Sequence, residues 1–346
     1  MYLRIKKRIE EEIINYTRNL GTLYGFKKLS PLLSSSIKEF ILRKGKRVRP
    51  ILFCIGYLGF AKKIPYALYR SAISLELLHD FLLIHDDIID KSQMRRGKLS
   101  MHTRYNRLLK ERKEIKFCGE DLAMLTGDIF YAMAIDTFLA IKEGRKQKEE
   151  ALKKLILTTL YTGSGEFIEL LLTAKPIEKA SKKEIYKVYD YKTANYTFAS
   201  PLTIGATLAK AKKNQINKLF AYGMNLGRAF QIKDDIIGIF GETSAIGKSN
   251  LSDLSEAKKT ILIWHAYKHA STKDKGNIRR IFKKDSITKK ELILMRKILL
   301  KYKSLEYAKN QIQILKYKSE KLLNKIKIKP KYRNTLHKFS EDILKV

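Results

Sequence analysis

The stretch "LYRSAISLELLHDFLLIHDDIID", residues 68–90, decides the fold class of this chain. It contains no strand-like alternation and no helix breaker, and it continues for roughly six turns of helix. Segments 185–211 and 217–241 have the same character, and the 346 residues include only six prolines. We find no convincing strand pattern and no glycine-rich nucleotide loop. The sequence therefore predicts an all-α protein with loops at residues 44–50, 91–100, 174–181 and 241–256, and the lack of a linker-like segment predicts one domain over residues 1–346.

The composition is that of a folded protein rather than a disordered one. Hydrophobic residues make up 45% of the chain, enough for a sizeable core. No uninterrupted apolar run reaches the ~18 residues of a spanning helix, and residues 1–16 lack a signal-peptide apolar region. The two cysteines belong to no metal or redox motif. These features predict a cytoplasmic protein with reduced thiols.

The charge of the chain is strongly positive. Lys and Arg number 71 against 35 Asp and Glu, which gives a formal net charge of +36. Such a surface attracts polyanions, but the lysines are spread along the chain without an aromatic-interleaved motif. We therefore predict no specific nucleic-acid partner, and we predict weak association with anionic membrane surfaces.

Three aspartates crowd the end of the first helical stretch, at Asp86, Asp87 and Asp90. Residues four apart on a helix point nearly the same way, so Asp86 and Asp90 project from one face about 6 Å apart. Two carboxylates at that distance repel each other unless a cation lies between them. Mg²⁺ suits carboxylate oxygens and usually bridges one or two of them to substrate phosphates. The spacing therefore predicts a magnesium site for a phosphorylated substrate.

A shorter version of the motif, "QIKDDIIG", follows at residues 231–238. It supplies Asp234 and Asp235, with Gly238 where a third aspartate would stand, and Asp253 in the following loop is a candidate third ligand. A lone Asp-Asp pair is most often a solvated helix end. Here both clusters follow apolar runs, which favours emergence from a packed interior.

Basic residues accompany the acids along the chain. Arginine forks suit phosphate oxygens, and lysine acts as a mobile point charge. Any one of these residues alone would be an ordinary surface charge. Together with two carboxylate clusters they predict two bound phosphate groups, one held through metal and one held directly. The candidates are Lys46, Arg49, Arg95, Arg96, Lys192, Lys248 and Lys258.

Taken in order, these motifs resemble the trans-isoprenyl diphosphate synthases, or polyprenyl synthetases, from about residue 40 to 262. Any one motif alone would be a weak signal, whereas their number and order make a strong one. They are "GKRVRP" (45–50), "ELLHDFLLIHDDIIDKSQMRRGKLSMH" (76–102), "LTGDIF" (125–130), "GEFIE" (165–169), "YKTA" (191–194), "GRAFQIKDDIIGIFGE" (227–242) and "GKSNLSDLSEAKKT" (247–260).

The resemblance implies a bundle of long helices around a central cavity, normally in a homodimer. Members join an allylic diphosphate to isopentenyl diphosphate, head to tail, through an allylic carbocation and with about three Mg²⁺ per site. Carried over, the metal ligands would be Asp86, Asp90, Asp234, Glu169 and Asp253, with Asp87 and Asp235 completing the motifs. The allylic diphosphate would contact Arg95, Lys192, Lys248 and Lys258. Isopentenyl diphosphate would contact Lys46, Arg49, His79 and Arg96. Thr193 and Gln231 would line the reaction centre.

The chain departs from the family pattern at a few positions. Gly238 replaces a final aspartate, as in some short-chain members. Leu99 and Ser100 stand where Pro-Thr is usual, Glu166 where Gln is common, and Glu169 where aspartate is frequent. These changes affect local geometry and leave the reaction class unchanged.

Product length is expected to depend on Phe81, five residues before Asp86. In the family an aromatic residue there limits the growing chain, and the neighbouring Leu82 is not aromatic. This pattern resembles geranylgeranyl makers, so we predict a C20 product, although Phe81 also suits an ordinary core position.

Three other functions stay open. A farnesyl or longer-chain synthase differs only in product size. A terpene cyclase would not need Lys46, Arg49 and His79. A non-catalytic partner subunit usually lacks the first aspartate motif, which this chain keeps.

Overall fold

The structure is a computed structural model that describes residues 1–110, 114–241, 252–284 and 286–345, with the side chains of Ser252 and Asp253 outside that description. Almost every element in the described chain is a helix. The all-α prediction is confirmed. Contacts divide the chain into two compact units, residues 1–153 with 204–210, and residues 154–203 with 211–346. The single-domain prediction stays a prediction.

The first unit is built around one long helix, α6. Its helices are α1 (Tyr2–Arg18), α2 (Leu20–Tyr24), α3 (Phe26–Leu29), α4 (Pro31–Ile41), α5 (Val48–Leu58), α6 (Leu68–Ile89), α7 (Met101–Leu109) and α8 (Gly119–Leu139). Helix α6 packs against α8, α5 and α1. Helix α1 contributes Ile5, Ile9 and Ile13, which are four apart, form one stripe and are buried. The apolar stretch that predicted the fold is therefore the core helix of this unit.

Two local features of the first unit differ from the sequence prediction. Residues 44–50 were expected to be a loop, but α5 already begins at Val48, because Pro50 is tolerated in a first helical turn. Residues 91–100 were also expected to be a loop, and they contain a hairpin of β1 (Met94–Arg95) and β2 (Lys98–Leu99). Its two loop residues, Arg96 and Gly97, have φ of 54° and 73°, which fits a type I′ turn.

The second unit contains most of the remaining helices. Helix α9 (Arg145–Ala174) begins in the first unit and continues into the second, and α11 (Ser200–Leu208) returns the chain to the first. Between them lie a 3₁₀ turn (Ile177–Lys179), α10 (Lys182–Val188) and a π-helix (Tyr189–Ala199). After them come α12 (Lys213–Phe240), α13 (Ser252–Ser255), α14 (Ile261–His269), α15 (Thr272–Phe282), α16 (Lys289–Lys301), α17 (Ser304–Asn324) and α18 (Pro330–Leu344). Helix α12 packs against the π-helix and α17. The predicted loop at 241–256 lies largely outside the described residues.

Two helices, α8 and α9, are long and apolar enough to cross a membrane by length and composition alone. Polar residues such as Asp128 in α8 and Glu166 in α9 interrupt the apolar sequence, so neither helix forms one uninterrupted apolar run. Core helices of water-soluble proteins pass the same test, so this finding is weak evidence of a span. It does show that α9 presents much apolar surface.

Candidate active site

The first aspartate motif lies at the end of α6. Helix α6 ends at Ile89, and Asp90 caps it with its backbone N–H bonded to the Asp86 carbonyl. Asp86 and Asp90 are partly exposed, and a carboxylate oxygen of one lies within 4.8 Å of one on the other. Two hard oxygen donors at that separation suit a divalent cation such as Mg²⁺. The residues present therefore fit the metal that the sequence predicted.

Asp87 has a different environment from its neighbours. It is fully buried, and its Oδ1 accepts a hydrogen bond of 2.7 Å from Nε of Arg95, on β1. The other end of the Arg95 guanidinium lies 3.1 Å from Oδ2 of Asp86. Asp87 thus fixes a cation beside the exposed carboxylates, where a bound diphosphate would need one.

The hairpin that carries Arg95 is itself held by Arg43. The Arg43 guanidinium donates to the carbonyl oxygens of Arg95 (3.3 Å) and Leu99 (2.8 Å), one on each strand. Arg43 in turn pairs with Glu39 at 2.8 Å. An otherwise isolated pair of two-residue strands is only marginally stable, so these bonds fix its position.

A buried ionic cluster holds Arg96, the second arginine of the hairpin. Arg96 lies 3.3 Å from Glu76 and 3.5 Å from Asp80, and Glu76 also binds Arg47 at 2.7 Å. Burial raises the pKa of the Asp80 carboxyl, although Arg96 opposes that shift. The sequence analysis missed Arg47, Glu76 and Asp80. The sequence did contain one indication of this cluster, Glu76 within the apolar run "LELLHD". A carboxylate is rarely buried without a cation, so its position there indicates a buried ion pair.

His79 lies among the cations of this unit. Burial lowers the pKa of His79 well below its ordinary value, and Arg49, Arg96 and Arg95 act in the same direction. The imidazole is therefore neutral at physiological pH and avoids repulsion from the arginines. Lys46 is exposed and Arg49 partly buried, at the start of α5. Arg49, Arg95 and Arg96 thus all contribute to the electrostatic environment of His79.

Phe81 contacts two aromatic side chains. Its ring lies 4.7 Å from His85 and 5.4 Å from Tyr131, which is on α8. The His85 ring occupies the space above Gly127, where an added Cβ would lie 2.4 Å from His85 Cε1. Tyr131 was missed by the sequence analysis. Tyr131 lies one helical turn after Gly127 of the motif "LTGDIF" and therefore on the same face of the helix. That spacing could have indicated that Tyr131 lies near the site.

In the second unit, Lys192 and Thr193 belong to the π-helix at Tyr189–Ala199. π-helical segments are rare and occur frequently at functional sites. Two glycines allow close packing on either side of this segment. A Cβ on Gly165 would lie 2.6 Å from the backbone nitrogen of Lys192, and one on Gly227 would lie 2.4 Å from Ala194 Cα. Gly165 opens the motif "GEFIE" and Gly227 the motif "GRAF", so both glycines are explained by backbone approach.

We expect Gly165→Ala to destabilise the protein by about 1–3 kcal/mol, because backbone must move to admit the methyl group. Gly276→Ala, within α15 of the same unit, is the matched control, since an added Cβ there meets nothing within 4 Å. The control should stabilise α15 by about 0.5–1 kcal/mol. Urea unfolding of both variants measures the difference, and equal effects would contradict the packing role of Gly165.

Lys192 is bound by two carboxylates of α9. Its Nζ lies 2.5 Å from Glu166 and 2.5 Å from Glu169. Glu166 was noted in the sequence only as a departure from the family pattern. The structure gives it a contact equal to that of Glu169, the predicted metal ligand.

A chain of hydrogen bonds joins Thr193 to the second aspartate motif. Thr193 Oγ1 donates to Gln231 Oε1 at 2.6 Å, and Gln231 Nε2 donates to Asp235 Oδ1 at 3.0 Å. The Tyr189 hydroxyl donates to Asp235 Oδ2 and accepts a 2.9 Å bond from the Ile261 backbone N–H. Burial and the nearby Asp235 raise the pKa of Tyr189 well above its ordinary value. This relay fixes the orientation of the Gln231 amide.

The other predicted residues of the second unit are placed as follows. Asp234 is partly buried, whereas Asp235 is buried. Lys258 forms an ion pair of 2.5 Å with Glu256. Lys248 and the side chain of Asp253 lie outside the described residues. Both aspartate pairs thus share one arrangement, in which the first carboxylate is accessible and the second is buried against a neighbouring functional side chain.

The comparisons agree with these features. The family model described as polyprenyl synthetase matches residues 30–298. A short chain isoprenyl diphosphate synthase of Methanocaldococcus jannaschii is 30% identical over 305 residues, which are 88% of this chain and 84% of that protein. A geranylgeranyl diphosphate synthase of Sulfolobus acidocaldarius is 30% identical over 302 residues, or 86% of each chain.

The fold also resembles the folds of solved structures of other proteins. The geranylgeranyl pyrophosphate synthase from Corynebacterium glutamicum, complexed with isoprenyl diphosphate and magnesium, superposes with a TM-score of 0.86. That match covers 99% of this chain and 98% of the other at 23% identity, which shows the fold alone. The family model covers most of the sequence and includes both aspartate motifs, so the chain belongs to the polyprenyl synthetase family and is a trans-prenyltransferase, an isoprenyl diphosphate synthase.

Proposed function

We propose that this enzyme condenses an allylic diphosphate with isopentenyl diphosphate, head to tail and with about three Mg²⁺, to make a C20 product. One observation carries the proposal. At the end of α6, two accessible carboxylates lie beside Arg95, while the cations Arg49 and Arg96 act on His79, two turns earlier on the same helix. These are two chemically distinct sets of groups for phosphate, as a reaction between two diphosphates requires.

Each set has its own substrate in this proposal. Asp86 and Asp90 hold Mg²⁺ on the allylic diphosphate, which Arg95 also contacts. Lys46, Arg49, His79 and Arg96 hold isopentenyl diphosphate. For the second unit we keep the roles that the family resemblance implies. Those are Lys192, Lys248 and Lys258 for the allylic diphosphate, and Glu169, Asp234 and Asp253 for Mg²⁺.

The chemistry then needs no nucleophilic side chain. Mg²⁺, when bound, supplies positive charge for the leaving diphosphate. Arg95 and Lys192 add fixed cations, so the allylic C–O bond ionises to a carbocation. The double bond of isopentenyl diphosphate attacks that cation, and the released diphosphate accepts the proton. The oxygen atoms of Thr193 and Gln231 stabilise positive charge, and the relay to Tyr189 keeps the Gln231 oxygen in position.

The experiment that tests this function is an extraction assay. Purified protein is incubated with Mg²⁺, labelled isopentenyl diphosphate and the C5, C10 or C15 allylic diphosphate in turn. We expect extractable prenyl diphosphate ending at C20. Product that ends at C15 would make the enzyme a farnesyl synthase. Product that extends to C25 would fit relatives such as the geranylfarnesyl diphosphate synthase of Natronomonas pharaonis, 28% identical over 249 residues.

Phe81→Ala is expected to lengthen the product by at least one C5 unit. The side chain stands beside Tyr131, and together the two rings form an aromatic barrier on α6 and α8. Removing the ring of Phe81 opens space that the prenyl tail can enter. Phe138→Leu, a buried aromatic position elsewhere on α8, serves as the control. Unchanged product length in Phe81→Ala, sized in the same assay, would refute the barrier.

We further propose that the enzyme is a homodimer joined through α9. Exposed residues recur along this helix with alternating spacings of four and three, the period of a coiled-coil seam. They are Ile156, Leu160, Gly163, Phe167, Leu170 and Ala174. An exposed apolar stripe of this kind fits a second copy of the same helix better than water.

We also propose that residues 1–346 act as one domain and that the protein is cytoplasmic. In addition, we propose that it associates weakly with anionic membrane surfaces and has no specific nucleic-acid partner.

A further inference from the structure

A strongly basic stretch of the chain lies far along the sequence from the predicted site residues. Residues 318–338 contain eight lysine and arginine residues and one acidic residue, Glu320. Seven of the eight are lysines, and all seven are exposed. We name this set the lysine comb: Lys318, Lys321, Lys325, Lys327, Lys329, Lys331 and Lys338.

The centre of the lysine comb owes its shape to alternating burial. In the sequence "KIKIK", residues 325–329, Ile326 is 1% exposed and Ile328 is 4% exposed. The two isoleucines anchor the segment in the core of the second unit. The intervening lysines consequently point to solvent on the opposite side. Because buried isoleucines alternate with exposed lysines, the ammonium groups of this short segment form a row on its solvent side.

The backbone of this segment is fixed rather than loosely attached. The Lys327 N–H donates to Gln215 Oε1 at 2.6 Å, and Lys218 Nζ donates to the Lys325 carbonyl at 3.2 Å. Arg333 adds a bond of 2.9 Å to the Ile326 carbonyl. Gln215 and Lys218 belong to α12, so three side chains hold the segment that carries the row. The charges are therefore displayed by an ordered backbone.

Helix α17 continues this basic surface with exposed apolar and aromatic groups. Tyr317 is 57% exposed and Ile314 is 39% exposed. The ammonium of Lys321 lies 4.6 Å from the centre of the Tyr317 ring. Tyrosine is favoured at membrane interfaces, where its ring and hydroxyl meet different surroundings. Lysines next to such groups match the polybasic segments that anionic lipid surfaces attract.

We propose that the lysine comb, with Tyr317 and Ile314, is the surface by which this protein docks onto an anionic phospholipid membrane. Nucleic-acid recognition relies on arginine forks and on aromatic platforms for bases, whereas all seven charged groups of the comb are lysine point charges. The proposal deepens the weak membrane association inferred above. It also suits an enzyme whose proposed product carries a long apolar tail that partitions into a bilayer.

The test is co-sedimentation of the full chain with vesicles. Vesicles of phosphatidylcholine alone are compared with vesicles that also contain phosphatidylglycerol. The test variant is K325Q/K327Q/K331Q. The matched control is K62Q/K63Q/K146Q, which removes the same charge from exposed lysines of the first unit. Because each lysine near an anionic surface strengthens binding about fivefold, the test variant should partition about a hundredfold more weakly. The control should lose less than about threefold, through long-range charge alone.

Three results would overturn the proposal. The first is equal loss in both variants, which would make binding a property of net charge. The second is absence of sedimentation with anionic vesicles. The third is preference of the wild-type protein for single-stranded RNA over vesicles, with the comb variant losing the RNA. Should the triple variant unfold, K318Q/K321Q on the exposed face of α17 replaces it, with a smaller expected loss of about twentyfold.

The proposed prenyl transfer is measured separately, with substrates in solution and without vesicles. We expect the turnover of K325Q/K327Q/K331Q to equal that of the wild-type protein. Failure of membrane docking therefore leaves normal turnover, whereas failure of the proposed function leaves normal vesicle binding.

Discussion

Asp86→Asn is expected to lower kcat/KM by about a thousandfold. The substitution keeps the size of the side chain but removes the charge that holds Mg²⁺ beside Asp90. Metal-ion stabilisation of a leaving group contributes several kcal/mol, and each 1.4 kcal/mol is about tenfold in rate. Arg95, which lies 3.1 Å from Asp86, also loses a partner. Initial rates at saturating Mg²⁺ measure the effect.

Asp128→Asn is the matched control for that substitution. Asp128 is on α8, and its side chain is 67% exposed. We expect its kcat/KM to stay within about threefold of the wild-type value, because exposed charges contribute little. Equal losses in the two variants would show that the overall negative charge of the protein, rather than the carboxylate pair on α6, supports the reaction.

Tyr189→Phe is expected to lower kcat by about ten- to a hundredfold with little change in KM. The variant leaves the buried Asp235 carboxylate and the Ile261 N–H without their shared partner, at a cost of about 1–3 kcal/mol each. Gln231 is then no longer held with its oxygen toward Thr193. Steady-state kinetics and urea unfolding of the same preparation separate the catalytic loss from the stability loss.

Tyr186→Phe provides the control for Tyr189→Phe. Tyr186 is three residues away, and its hydroxyl bonds to Gln311 at 3.3 Å, outside the relay. Its loss should leave kcat unchanged. A Tyr189→Phe variant that is less stable yet retains full kcat would limit the relay to a structural role.

The sequence predicted the parts of the fold that follow from local periodicity. Helix α6 was expected from its long apolar run, and its i,i+4 spacing placed Asp86 and Asp90 on one accessible face. Asp87 is only one position after Asp86, so the same helical geometry points it away from that face. The structure adds what that difference means, since Asp87 is buried against Arg95.

Other features depend on contacts that local patterns do not encode. The hairpin at Met94–Leu99 has strands of two residues, too short to show alternation. The π-helix around Lys192 has no sequence period of its own and depends on packing at Gly165 and Gly227. These glycines lie within recognised motifs, but their role requires the neighbouring backbone to be seen.

Buried ionic contacts were the largest omission of the sequence analysis. Arg47 lies in "GKRVRP" between two residues predicted to bind substrate, yet it is buried and bonded to Glu76 and Glu10. Adjacent basic residues of one motif thus have opposite exposures, since Lys46 is exposed and Arg47 is buried. Arg47 also has a left-handed backbone conformation, with φ of 54°, immediately before α5 begins. No pattern in the sequence specifies that conformation.

The central claim is that the carboxylates of α6 hold the allylic diphosphate through Mg²⁺. Isothermal titration with a non-hydrolysable allylic thiolodiphosphate tests it most directly, in Mg²⁺ and in EDTA, for the wild-type protein and for D86N/D90N. We predict tight binding only for the wild-type protein in Mg²⁺. Equally tight binding in EDTA, or by the double variant in Mg²⁺, would contradict the claim.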